Sequence, residues 1–155
     1  MNDTSFPRHH GADRHLSIGL DPVDIEALVD ARHPDPFSRL GMHATSGGHI
    51  VRALLPGAAH VAVVERASGA VIGQLSEIAA GGLFAGFVER AVPYRLRIDW
   101  HGVEQEIEDT YSFGPVLGED ALQRLARSDP YAVMQCLGAR PCAQDGIPGV
   151  RFAVW

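Results

Sequence analysis

Between Tyr94 and Trp100 the chain alternates strictly, with Tyr94, Leu96, Ile98 and Trp100 on one side and Arg95, Arg97 and Asp99 on the other. Successive side chains of an extended strand point to opposite faces, so the pattern commits this segment to a strand with one dry and one wet face. His101-Gly102 follows, a two-residue connection whose glycine tolerates the positive φ of a tight hairpin, and residues 103–108 return alongside. Upstream, residues 49–55, 60–65, 71–78 and 83–89 are apolar runs separated by Pro56-Gly57, Ser68-Gly69 and Gly81-Gly82. Phe84 and Phe87 fall on opposite faces of the last run. Six short strands with regular turns and no helix between them predict an all-β chain built as an antiparallel β-sandwich.

Helical patterns lie only at the flanks. Asp21-Pro22 opens a helix, aspartate as N-cap and proline at the first helical position. Ile25, Leu28 and Val29 share a face, Asp24, Glu26 and Asp30 are expected in water, and Pro34 and Pro36 end the element. The stretch from Leu40-Gly41 to Gly48 is rich in Ser and Gly and reads as a loop. Residues 118–128 form a short amphipathic linking helix with Leu122 and Leu125 inward. Residues 1–20, with His9, His10 and His15, read as a mobile tail.

The chain also starts to repeat itself. Asp35-Pro36-Phe37, Leu40-Gly41 and Val51-Arg52-Ala53 recur as Asp129-Pro130-Tyr131, Leu137-Gly138 and Val150-Arg151-Phe152, displaced by 94, 97 and 99 residues. That spacing is one sandwich domain in size. The second copy has reached only its first strand at Trp155, so the chain reads as one complete module and the opening of another, part of a longer protein. The expected division is a tail at 1–20, a helix at 21–34, a sandwich at 35–117, a linker with a short helix at 118–148, and at 149–155 the first strand of a second sandwich without its own domain.

Composition excludes several functions. A net charge of −6 argues against phosphate-driven binding of nucleic acid. No apolar run approaches the roughly 20 residues that span a bilayer, so no membrane partner is expected. The polar opening lacks the apolar core of a secretory signal, and two cysteines, Cys136 and Cys142, then read as reduced thiols in a cytoplasm. Those cysteines lack the close paired spacing of a zinc site, and histidines on a tail form no preformed one, so neither metal nor cofactor is expected. Glu104, Glu106 and Glu108 share one strand face and read as a solvated, self-repelling stripe rather than a catalytic pair.

The repeated residues also carry a resemblance. Asp35-Pro36-Phe37-Ser38-Arg39-Leu40-Gly41-Met42-His43 resembles the opening signature of bacterial glycogen branching enzymes, and Val51-Arg52-Ala53-Leu54-Leu55-Pro56-Gly57-Ala58 the strand and turn that follow it. Asp109-Thr110-Tyr111-Ser112-Phe113-Gly114-Pro115 is similar to the segment closing their first sandwich, with Thr110 where proline is usual. Residues 149–155 resemble the first strand of their second, carbohydrate-binding sandwich, and Arg140 stands where histidine is usual. The resemblance covers residues 33–155. It implies an immunoglobulin-like sandwich at the N-terminus of an enzyme that cuts α-1,4-glucan and rejoins the piece through an α-1,6 bond. A nucleophilic carboxylate and an acid/base carboxylate about 5 Å apart do that chemistry, and both belong to a downstream barrel.

No catalytic residue is therefore expected within this chain. The module is expected to support the barrel, to influence the transferred chain length and to contact α-glucan weakly if at all. Its partners are the downstream domains of the same chain. Aromatic rings stack on the apolar face of glucose. Of the rings considered (Trp100, Tyr94, Phe84 and Tyr111), Tyr94 and Trp100 are assigned to the core by their strand. Tyr111 and Phe113 at a strand exit, with His43 in the preceding loop, are the expected substrate-binding residues. The rival expectation is a freestanding immunoglobulin-like module for protein–protein contact with no carbohydrate role.

Overall fold

The alternation at residues 94–99 is realised in full: Tyr94, Leu96 and Ile98 are buried, and Arg95, Arg97 and Asp99 are half-exposed. This is a computed structural model that describes residues 19–154, in two units divided between Ser112 and Phe113. The first unit holds helix α1 (Pro22–Val29) and strands β1 (Gly41–Thr45), β2 (Gly48–Leu54), β3 (His60–Glu65), β4 (Val71–Ala79), β5 (Leu83–Val88), β6 (Tyr94–Asp99) and β7 (Glu104–Glu108). Every pairing is antiparallel, in the order β1-β2-β5-β4-β3-β6-β7.

β4 belongs to two leaves. Residues 71–75 pair with β3 and residues 76–79 with β5, each across a register shift that adds local twist. The strands thereby form an immunoglobulin-like β-sandwich, β1-β2-β5-β4 facing β4-β3-β6-β7. Between the leaves lie Val51 and Ala53 of β2, Val61 and Val63 of β3, Phe84 and Val88 of β5, and the inward face of β6. Burying each large aliphatic side chain contributes roughly 1.5–3 kcal/mol. The other face of β2 and β5 presents Ile50, Leu83 and Ala85, which Leu20, Leu40 and the Ile25 and Leu28 face of α1 cover. Among the described residues no helix is long and apolar enough to cross a membrane.

Several expectations need correction. Helix α1 is capped as foreseen, the Asp24 amide donating to Asp21 Oδ1 at 2.7 Å, but it ends at Val29 rather than at 34. Ala31 adopts φ +55°, and the Arg32 and His33 amides turn back to the Ala27 carbonyl, so the helix closes before either proline. Leu20 is buried, while the rest of the expected mobile tail, Gly19 apart, lies outside the described residues. Asp24 does not simply face water. Arg39 Nε donates to it at 2.6 Å and His33 Nε2 at 3.3 Å. Burial pushes the Asp24 carboxyl up, but these two bonds outweigh it and hold the group below the usual carboxylate range.

The supposed loop at 40–48 contains β1, so among the described residues the sandwich has seven strands rather than six. The glutamate stripe of β7 is exposed at Glu104 and Glu106 as expected, but two of its members are paired with arginines. Glu106 meets Arg97 at 2.7 Å, and Glu108 takes Arg95 at 2.7 Å and Arg66 at 2.5 Å. Partial burial pushes Glu108 up, but the two arginine bonds prevail and hold it below its ordinary value.

The second unit holds α2 (Glu119–Ala126), α3 (Pro130–Cys136), β8 (Gly138–Gln144) and β9 (Ile147–Ala153). Leu125 is buried as expected, but Leu122 is 43% exposed. The buried hydrophobic residues here are Leu125 and Ala132, one from each helix, so the earlier turn of α2 that carries Leu122 stays in water. Instead of one short linking helix there are two, because Asp129 accepts from the Tyr131 and Ala132 amides and starts α3. The last strand begins at Ile147 rather than Gly149 and pairs with β8, which the sequence reading had placed in the linker.

The facing of β6 is tested by two neighbours. Leu96→Ala is expected to cost about 2–5 kcal/mol, because it removes a fully buried side chain and leaves a cavity. Arg97→Ala breaks only an exposed cross-strand pair and is expected to cost about 0.5 kcal/mol or less. Urea melts that gave the two variants equal midpoints would show that the faces are reversed.

Candidate functional site

The motif residues of the first unit converge on the corner at Leu40-Gly41. Asp35 Oδ1 accepts from the Ser38 amide at 3.3 Å and starts a 3-10 turn over Pro36–Ser38, which ends with the Leu40 amide bonded to the Pro36 carbonyl. Leu40 is buried, and Gly41 takes φ +88° to turn into β1. A Cβ at Gly41 would stand 3.0 Å from the Tyr111 carbonyl oxygen, so the chain passes this point only as glycine.

Tyr111 arrives from the other direction, on the turn that follows β7. Its ring packs edge-on to Phe37, centroids 5.1 Å apart at 65°, and its amide donates to Asp109 Oδ1 at 3.0 Å. The other Asp109 oxygen accepts from the Tyr94 hydroxyl, and the Ser112 Oγ bonds the Asp109 carbonyl at 2.7 Å. Asp109 is 3% exposed, the one buried carboxylate among the described residues. Burial lifts its carboxyl above the usual range, and the bonds from Tyr94 and Tyr111 reduce that rise without cancelling it. Burial and the neighbouring Asp109 likewise push the Tyr94 and Tyr111 phenols up.

His43 reaches the same corner, its Nε2 donating to the Leu40 carbonyl at 2.9 Å. Of the three expected sugar-binding residues, His43 and Tyr111 therefore both contact the Leu40-Gly41 segment, and both are half-buried. Phe113 belongs to the second unit, where its carbonyl accepts from Gln144 Nε2 at 2.6 Å. The corner offers a ring already packed against Phe37 and a histidine with one nitrogen engaged. Tyr94 and Phe84 lie in the core, and Trp100 packs partly against it, its Nε1 donating to Gln105 at 3.1 Å.

Among the described residues of this unit, the most open phenylalanine is not one of the expected sugar-binding residues. Phe87 is 52% exposed, while Phe84 is 2% exposed. Their opposite facing was the available signal: Phe84 points between the leaves, and Phe87 lies on the face that α1 covers only at Leu83 and Ala85.

The fold defines an immunoglobulin-like β-sandwich domain followed by a helix–hairpin unit. The family described as alpha-1,4-glucan branching enzyme GlgB, N-terminal domain, matches residues 21–111, and the chain belongs to it. A 1,4-alpha-glucan branching enzyme GlgB of Paraburkholderia xenovorans (strain LB400) is 69% identical over 139 residues, which are 90% of this chain and 19% of that protein. The GlgB of Burkholderia pseudomallei (strain 1106a) is 51% identical over 142 residues, 88% of this chain and 19% of that protein. The GlgB of Pseudomonas fluorescens (strain Pf0-1) is 50% identical over 133 residues, 85% of this chain and 18% of that protein. The chain thus spans about a fifth of the length of these relatives. The resemblance read from residues 35–43 and 51–58 is borne out.

Asp109 gives a pH test. Its folded pKa lies above its unfolded one, so the folded state holds the proton more tightly. Its contribution is fully present below the unfolded aspartate value of about 3.9 and is lost as pH rises through the folded value. Asp109→Asn keeps an oxygen for the Tyr111 amide and supplies an NH2 that the Tyr94 hydroxyl can accept. The stability of the original chain relative to this variant is expected to fall from acid toward neutral pH in urea melts. Parallel curves would show that Asp109 titrates as it does in the unfolded chain.

Proposed function

We infer that this chain is the N-terminal module of a bacterial, cytoplasmic 1,4-α-glucan branching enzyme. The parent enzyme cuts α-1,4-glucan and transfers the piece to form α-1,6 branch points in glycogen. The module carries none of the reacting groups. It supports the catalytic barrel, influences the length of the transferred chain and contacts glucan weakly. On this reading β8 and β9 open a second sandwich of the carbohydrate-binding type. The observation that carries the reading is 69% identity, over nine-tenths of the chain, to a protein named as a branching enzyme. The physical arrangement supports a non-catalytic role. The buried carboxylate is held by Tyr94 and Tyr111, and the carboxylates of β7 nearest to a row are bonded to arginines.

The chain alone is expected to give no change in an iodine-staining assay with amylose or glycogen. Grafted in place of the corresponding region of the Paraburkholderia relative, it is expected to preserve branching, and removal of residues 1–112 from the graft to shift the distribution of transferred chain lengths. Turnover by the pure chain that is lost on Glu106→Gln would overturn the assignment. An unchanged distribution after removal would favour a protein-contact module without a carbohydrate role.

A further inference from the structure

The pleat of β5 leaves one aromatic ring outside the protein's packing. Phe87 shares a face with Leu83 and Ala85, which are buried in the cluster beneath α1, but it lies further along the strand and remains 52% exposed. Beside it is a depression of about 610 Å³, lined by Ile72, Phe87, Val88, Glu89 and Arg90. That volume is within the roughly 300–1,000 Å³ of small-molecule sites. Gly73, next to Ile72, is tightly packed against two of the lining residues. A Cβ at Gly73 would stand 2.7 Å from Val88 Cγ1 and 3.1 Å from the Phe87 carbonyl oxygen. Arg90 is steadied by Glu65 at 3.2 Å, yet its side chain is 67% exposed, which leaves donors of the guanidinium open to a ligand.

We propose that this depression is a contact site for a short stretch of α-1,4-glucan, a proposal that rests on the functional reading above. The Phe87 ring packs against the apolar face of one glucose unit, with Ile72 extending the apolar floor. Arg90 donates to its hydroxyls and Glu89 accepts from them. A pyranose has an apolar face and a rim of hydroxyls that both donate and accept, and the depression offers the matching set: one ring, one cation and one carboxylate. A protein partner would need a contiguous patch of about 800 Å² on each side, far more than one phenylalanine and one isoleucine provide. A second depression of the same unit, about 200 Å³ and lined in part by His60, Gln74, Arg97 and Asp99, has polar groups but no phenylalanine, tyrosine or tryptophan ring. Tyr111, at the Leu40-Gly41 corner, is half-buried and already packed on Phe37.

Titration of the full 155-residue chain with maltoheptaose, followed by backbone amide shifts, tests the assignment. Shifts are expected to centre on residues 72, 73 and 87–90, with a dissociation constant in the millimolar range. Phe87→Ala is expected to weaken binding about tenfold or more, with the rest of the spectrum unchanged because the ring packs little. Arg90→Ala is the second variant, expected to weaken binding several-fold without touching the core. Shifts centred instead on His43, Tyr111 or Phe113 would overturn this site while leaving glucan contact by the module intact. So would binding indifferent to both substitutions. Absence of shifts up to tens of millimolar would also overturn the site, and the branching assay of the grafted enzyme then judges the family role separately.

Discussion

The buried carboxyl of Asp109 ties the interior of the sandwich to its outer corner. A carboxyl taken out of water costs several kcal/mol unless donors replace the lost solvent. Here one oxygen takes the Tyr94 hydroxyl and the other the Tyr111 amide. Tyr94 stands at the start of the strand whose alternation defines the core, so the core determines where the chain leaves β7. Tyr111 is thereby set against Phe37 and beneath Gly41, and Gly41 leads into the hairpin that carries Ile50 under α1. A phenylalanine at position 94 would fill the same space and leave one Asp109 oxygen without its donor, a loss of about 1–3 kcal/mol. The tyrosine is there for its hydroxyl as much as for its ring.

The internal repeat has a physical content that its letters only suggest. In both copies aspartate caps a helical turn and proline takes its first position: Asp35 bonds the Ser38 amide, and Asp129 those of Tyr131 and Ala132. In both, a leucine is followed by glycine at positive φ, +88° at Gly41 and +86° at Gly138, and a hairpin begins. The side-chain ties recur as well. His43 donates to the Leu40 carbonyl and Arg140 to that of Leu137, so the arginine standing where histidine is usual performs the same bond. Arg52 donates to the carbonyl before Leu40, and Arg151 to the carbonyl before Leu137. What differs is the neighbourhood. β2 has β5 on its far side, and Val51 and Ala53 are 0% and 3% exposed; β9 pairs with β8 alone among the described residues, and Val150 and Phe152 are 52% and 76% exposed.

Sequence patterns revealed what depends on local alternation and missed what depends on neighbours. Strands β3 to β7 fall within a residue of their expected bounds, since each has its own turn signals. β1 was hidden because five residues beside Ser46 and Gly47 carry too little apolar signal, and its partner β2 supplies the order. The end of α1 was misplaced because Ala31, which carries no signature of positive φ, acts before Pro34 does. The second helix of the linker is concealed within the repeat motif, because Asp129-Pro130 reads there as an echo of Asp35-Pro36 and not as a cap. At the site, the residues near Leu40-Gly41 were legible from their motif. The openness of Phe87 was not, because the cover that α1 gives to one part of β5 is a tertiary fact.

Electrostatics decides how a module like this can serve a polysaccharide. Glucan is neutral, so the net charge of −6 gives it no long-range attraction, and the arginines that face β7 are already bonded to glutamates. Those glutamates also keep a charged row on an edge strand, which discourages pairing with another sheet. Affinity for sugar must then come from contact alone, one ring and a few hydrogen bonds, and a millimolar site is worth about −4 kcal/mol. Weakness of that order does not make such a site idle when it is tethered to other domains. A polymer already held elsewhere on the same chain is presented at an effective concentration in the millimolar range, comparable to the dissociation constant itself. On the proposed reading the site is then occupied for a substantial part of the time and is released readily. On that reading, those are the properties of a surface that guides a glucan chain without retaining it.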